Sequence, residues 1–286
     1  MKKNIAVENY EIISQLPNIE ERANMLATED FGTYVKSISN FFTSKLGAVS
    51  EIFSSNKKRT KILDKSYSEF IIDMKKEGKH IPKIIKNKTY SDVKFIKVPV
   101  MLGTVKDLPV TIKQLESVMP IISDKLVTSL DNLDTFVAKV LGDKEFRKAT
   151  RPFPPLEERK ELKQLDDVIS TLIDRNSMND VKPIGDLLPN LSSLSDVHEG
   201  IIVIARGSSL KDMQAIEKQI KTISARVKEL EDFLTVNNDT EISKAVVNEL
   251  GSKLEVNAKL ITSALSVLHI LNQTAMTIKH IIERLK

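Results

Sequence analysis

The chain contains no cysteine. Disulfides, thiolate metal centres and cysteine nucleophiles are therefore excluded. It also lacks tryptophan, and aromatic residues make up only 5% of it. Leu, Ile and Val must fill whatever core it builds. Nine glycines and ten prolines are few for 286 residues, which argues against an all-β fold and against collagen-like or linker-rich chains. Phosphate-cradling loops of the G-x-x-x-x-G-K-[ST] or G-x-G-x-x-G type are missing, as are H-E-x-x-H, EF-hand and G-x-S-x-G patterns. Behind Met1-Lys2-Lys3-Asn4 there is no apolar run of the kind a secretory signal needs. The expected setting is cytoplasm or an assembled particle.

What the sequence does have is helical spacing. Met213, Ile216, Ile220, Ile223, Val227, Leu230 and Leu234 recur in steps of three and four. Leu250, Leu254, Asn257, Ile261, Ala264, Leu268, Leu271, Ala275, Ile278, Ile282 and Leu285 do the same. Such steps hold side chains on one stripe of a helix. Residues 235–240 between them suffice only for a tight reversal. The spacing predicts an antiparallel helical hairpin over 208–286, with Ile216, Ile220, Ile223, Val227, Leu230, Leu254, Asn257, Ile261, Leu268, Ile278 and Ile282 at its seam. Asn257 would weaken that seam unless paired, and a paired asparagine there fixes register.

The expected fold class is mainly α: an elongated helical bundle ending in this hairpin, with a small β-prone, irregular insert near 90–108. Further stripes support it. Phe31, Val35, Ile38, Phe42, Leu46, Val49 and Phe53 form one, and Leu63, Tyr67, Phe70, Ile71 and Met74 another. Leu115, Met119, Ile122, Leu126, Leu130, Leu133, Val137 and Val140 form a third, starting after Pro109 and crossing Pro120, where a kink is expected. Leu162, Leu165, Ile169, Leu172 and Ile173 mark a fourth. In the insert, Pro99 restricts 93–102 to an edge strand or extended loop. Residues 200–207 fit either a strand pairing with 93–102 or a helix. Matching its length to the last helix favours a helix that starts near Ser195 and runs on, although Ser209 and Asp212 would also make a capping box. Arg151-Pro152-Phe153-Pro154-Pro155 reads as a stiff linker. It divides a region 1–150 from a helical region 151–286.

Charge is unevenly placed. The net charge is +4, but residues 57–97 hold thirteen Lys/Arg against five Asp/Glu, leaving the remainder at −4. A solvated lysine-rich surface explains this without function. A contact zone for an acidic partner or nucleic acid is the functional reading, with Lys57, Lys58, Arg59, Lys61, Lys75, Lys76, Lys79 and Lys83 as its contacts.

Catalytic groupings are not evident. His269 and His280 lie eleven residues apart, about 16 Å along a helix, too far to share a metal. The pairs Glu20-Glu21, Glu157-Glu158 and Asp166-Asp167 point about 100° apart on a helix and do not converge as an acid–base dyad must. Residues 260–278 carry no charge, a length that just spans a bilayer. Eight of these nineteen residues are polar, which fits a buried bundle helix better than a lipid-facing one.

Phe41-Phe42-Thr43-Ser44-Lys45-Leu46, the segment Phe95 to Leu108 and the long cysteine-free helices together resemble helical virion structural proteins of large tailed bacteriophages. The resemblance covers about the first half of the chain. It implies a non-enzymatic particle component and transfers no functional residue. The join of long helices to a short β-prone segment also resembles α-helical pore-forming toxins, which implies membrane activity as an alternative. The expectation is thus a non-enzymatic structural protein without cofactor or small-molecule substrate. It would associate with itself or with other structural proteins, with nucleic acid as a further partner and membrane ranked below both.

Overall fold

In a computed structural model of the chain, the described residues are 33, 35–40, 42–43, 58, 61–69, 72, 91, 93–100, 107–151, 153–154, 156, 158–172, 180–190, 192–207, 210–236 and 242–285. They are mostly helical. Helical stretches at 35–40 and 61–69 come first. Then follow β1 (Lys97–Val100), α1 (Leu108–Pro120), a π-helical segment (Ile121–Lys125), α2 (Leu126–Gly142), α3 (Lys144–Arg147) and α4 (Glu158–Leu172). The chain ends with β2 (Asp180–Pro183), α5 (Ile184–Leu187), α6 (Ser193–Gly207), α7 (Leu210–Val236) and α8 (Lys244–Leu285). They form two compact units. One draws on residues within 1–51, 121–165 and 211–265, the other on residues within 52–120, 166–210 and 266–286.

In the first unit, cross-links between helices fix their directions. Gln219 on α7 donates to Asp131 on α2, and Arg226 Nε donates to Asp134 at 3.1 Å. Further along both segments, the Arg147 guanidinium lies 5.2 Å from the Phe233 ring. Both positions rise together, so α7 runs parallel to α2. On α8 the order reverses. Ser129 pairs with Asn257, Phe136 faces Lys253, and Arg147 O accepts from the Ser243 N–H. Thus α8 is antiparallel to α2 and hence to α7, the hairpin that the two stripes predict. Residues 237–241, including most of the expected turn, lie outside the described residues.

Helix ends in this unit follow local chemistry. Asp143 accepts from the Phe146 N–H at 2.9 Å and starts α3. Arg147 Nη1 donates to the carbonyls of Val140 and Leu141, closing α2 with a cation where its dipole is negative. Ser243 accepts from the Val246 N–H at 3.2 Å and starts α8. The expected linker at 151–155 is tied down by Phe153, whose ring centroid lies 5.5 Å from that of Phe136 and 6.0 Å from that of Phe146. A proline-rich segment with an aromatic residue at its centre can be extended and still anchored.

In the second unit, Asp107 accepts from the Val110 N–H at 3.1 Å and opens α1. Pro109 sits in the first turn, where a missing N–H breaks no bond. At the other end Pro120 cannot donate to the helical ladder, and the π-helical segment begins at the next residue. The stripe through Leu115, Met119, Ile122, Leu126 and Leu130 stays buried across it.

The strands correct one alternative. β1 pairs antiparallel with β2, with Val98 opposite Lys182 and Pro99 opposite Val181. Residues 201–207 are helical, as length matching favours, and take no part in the ribbon. α6 spans Ser193–Gly207 and α7 spans Leu210–Val236, and the expected continuation of one into the other falls at 208–209, outside the described residues. Ser209 of the expected capping box lies outside the described residues. β2 was not expected, because Asp180-Val181-Lys182-Pro183 holds a single β-branched residue.

α1 and α6 pack closely at Gly200. A Cβ there would meet Ile112 Cγ2 at 2.4 Å, and a β-branched side chain cannot swing that carbon away cheaply. Gly200→Ala is expected to destabilise the protein by about 1–3 kcal/mol in urea unfolding. Most of that loss should vanish in an Ile112→Ala background. An equal loss in both backgrounds would refute the contact.

Candidate functional surfaces

The expected seam residues lie on α7 and α8. Ile216, Ile220, Ile223, Val227, Leu230, Leu254, Ile261, Leu268, Ile278 and Ile282 are all buried within the single chain. Each such side chain contributes about 1.5–3 kcal/mol through burial. Their chemistry is therefore spent inside the fold, and they offer no free surface. Asn257 is also buried. Its Oδ1 accepts from Ser129 Oγ at 2.9 Å, and its Nδ2 donates to Lys253 O at 2.9 Å. Ser129 flanks an unbroken α2 stripe beside Leu130, so spacing does not mark it in the sequence as it marks Asn257 in α8.

Of the basic set, Lys58 and Lys61 are exposed. Lys57, Arg59, Lys75, Lys76, Lys79 and Lys83 lie outside the described residues. Three of the four histidines are described. His198 stacks on Tyr67 with ring centroids 3.9 Å apart, and its Nε2 lies 3.5 Å from Asp64. His269 Nε2 is 3.2 Å from Gln273 Nε2, and His280 Nδ1 is 3.3 Å from Glu283. The association of His198 with Tyr67 and Asp64 joins α6 to the 61–69 stretch and had no signal in spacing. Among the described residues no three His, Asp or Glu side chains gather as a metal site would require.

Electrostatic effects are local. The Asp134 carboxylate, bonded to the Arg226 guanidinium, raises the pKa of Arg226, and Glu229 adds to this. Lys279, 3.0 Å from Glu283, holds that carboxyl below its ordinary range. The associated stability is present above the usual glutamate titration and is lost as pH falls through the lowered folded-state value.

α8 is long and apolar enough to cross a membrane, but 83% of its most apolar window is buried inside the fold. Most polar side chains between 257 and 277 are buried. Thr262, Thr274 and Thr277 donate to carbonyls one turn back. Asn272 Oδ1 and Gln273 Oε1 are buried without a hydrogen-bond partner. Comparison of the chain with protein-family models, curated proteins and solved structures finds no match.

Two buried asparagines on one helix should respond oppositely to substitution. Asn257→Leu strands the Ser129 hydroxyl and is expected to lower stability by about 1–3 kcal/mol. Asn272→Leu removes an unpaired buried carbonyl and is expected to be neutral or stabilising. Chemical denaturation of both variants checks the pair. A destabilisation at Asn272 matching that at Asn257 would contradict the assignment.

Proposed function

We propose that the protein is a non-enzymatic structural component that associates with copies of itself or with other structural proteins through helix faces of its second unit. The observation that carries this reading is the placement of exposed apolar side chains. Ile62, Ile72, Val110 and Val203 are each 40–55% exposed, and all four belong to that unit. Isolated surface aliphatics are ordinary. Among the described residues the exposed large apolar side chains all fall in this unit, these four on helices and Phe95 and Val181 at the ribbon, whereas the long aliphatic stripes are consumed internally. An assembling chain needs the first kind of surface and cannot use the second. The particle component implied by the phage-protein resemblance is the setting we propose for it.

Light scattering coupled to size exclusion, across a hundredfold concentration range, tests the reading. Mass is expected to rise with concentration in the wild type. Val110→Glu and Val203→Glu, which place a charge on exposed helix positions, are expected to suppress that rise. Strictly monomeric wild-type protein throughout would overturn self-association. A rise unaltered in both variants would move it to another surface.

A further inference from the structure

The β1–β2 ribbon presents a face whose chemistry the helical reading does not use. Along β1, Lys97 and Pro99 are exposed while Val98 and Val100 are buried. Alternate residues share a face, so Lys97 and Pro99 mark the outer one. Their cross-strand partners, Pro183 and Val181, stand on that same side. Val181 is 54% exposed. Two residues before Lys97, Phe95 is 70% exposed, the most open large apolar side chain among the described residues. Lys94 Nζ sits 4.7 Å from the centroid of its ring. Ile184 and Gly185 hold this corner by donating to the carbonyls of Ile96 and Lys94 at 2.9 and 2.8 Å. A Cβ on Gly185 would come within 3.1 Å of Lys94 O. The aromatic ring is thus displayed from a backbone pinned to α5.

The geometry points to a contact site for single-stranded nucleic acid on this outer face. Phe95 supplies the stacking surface, and Lys94 and Lys97 supply the phosphate contacts. An exposed aromatic ring with the Lys94 ammonium over it and an exposed lysine two residues on matches the two parts of a nucleotide, a flat base that can stack on the ring's other face and an anionic phosphate. Lys97 is the one charged residue in the cross-strand pairs Lys97–Pro183 and Pro99–Val181, with Asp180 opposite Val100 on the other face, and Lys94 and Lys97 end the 57–97 segment that carries a net charge of +8. This charge favours an anionic occupant. A single strand fits better than a duplex, because a ring can stack only on a base that is not already stacked in a helix.

Other occupants fit less well. Two four-residue strands offer far less than the roughly 800 Å² per partner of a stable protein interface. Pro99 and Pro183 lack the N–H that an added strand would need, and Lys97 adds charge, so the ribbon is guarded against strand addition. A lipid surface would favour several long apolar side chains. Here, among the described residues of the ribbon, the exposed apolar side chains are Phe95, Pro99 and Val181.

The test is anisotropy of a fluorescein-labelled oligothymidylate of about twenty nucleotides with the full-length protein at about 50 and 200 mM salt. Binding that weakens with salt is expected. Phe95→Ala should weaken it about tenfold, the loss of one stacked base, with the salt dependence unchanged, and Phe95→Trp should restore it. Lys94→Ala with Lys97→Ala should lower the slope of log affinity against log salt by about 1.4, the share of two phosphate contacts on a single strand. Circular dichroism should be unchanged in each variant, since these side chains lie at the surface. No oligonucleotide binding, or full affinity in Phe95→Ala, would overturn the proposal. Binding to phosphatidylserine vesicles but not to the oligonucleotide would overturn it too and give the face to lipid.

Discussion

Helix α8 depends on a hydrogen bond between two small polar side chains, Ser129 and Asn257, set in otherwise aliphatic surroundings. Aliphatic stripes are permissive: Leu and Ile one turn apart can slide past a neighbouring helix with little change in buried area. A buried amide is not permissive, because any shift that separates it from its partner leaves polar atoms without water or protein. The bond therefore fixes the relative position of α2 and α8. With α8 set, the Lys253 side chain lies over Phe136, and the Ser243 N–H meets Arg147 O.

Peripheral ion pairs complete the arrangement on the α7 side. The Arg226 side chain is partly exposed and pairs with both Asp134 and Glu229. Such pairs contribute little to stability individually. They specify orientation, because a guanidinium on α7 finds its carboxylate on α2 in only one register. The first unit thus joins an apolar interior, which supplies most of the driving force, to a few polar contacts that select one packing among many.

Much of this architecture was legible in the sequence. Stripes of Leu, Ile and Val at three-and-four spacing gave the helices, and the polar residue at 257 announced a partner. The uncharged stretch 260–278 could be read as buried because its polar residues were too many for lipid, and Thr262, Thr274 and Thr277 indeed return their hydroxyls to the α8 backbone. Less legible was whatever depends on contacts distant in sequence. β2 holds two prolines' worth of constraint with its partner strand and only one β-branched residue, so no local preference marks it. His198 meets Tyr67 and Asp64 across more than a hundred residues. Of the basic set chosen from charge alone, only Lys58 and Lys61 fall among the described residues. The ribbon's exposed Phe95 went unmarked because period and charge say nothing of how open a ring will be.

The central claim is that the stripes of α7 and α8 are satisfied within one chain, so that the association we propose uses other surfaces. Amide hydrogen exchange followed by mass spectrometry at two protein concentrations, one dilute and one a hundredfold higher, tests it most directly. The account predicts strong protection across residues 216–230 and 250–271 that is the same at both concentrations. Protection that is weak in dilute solution and appears only as the protein is concentrated would show that these stripes close between chains, and would contradict the account.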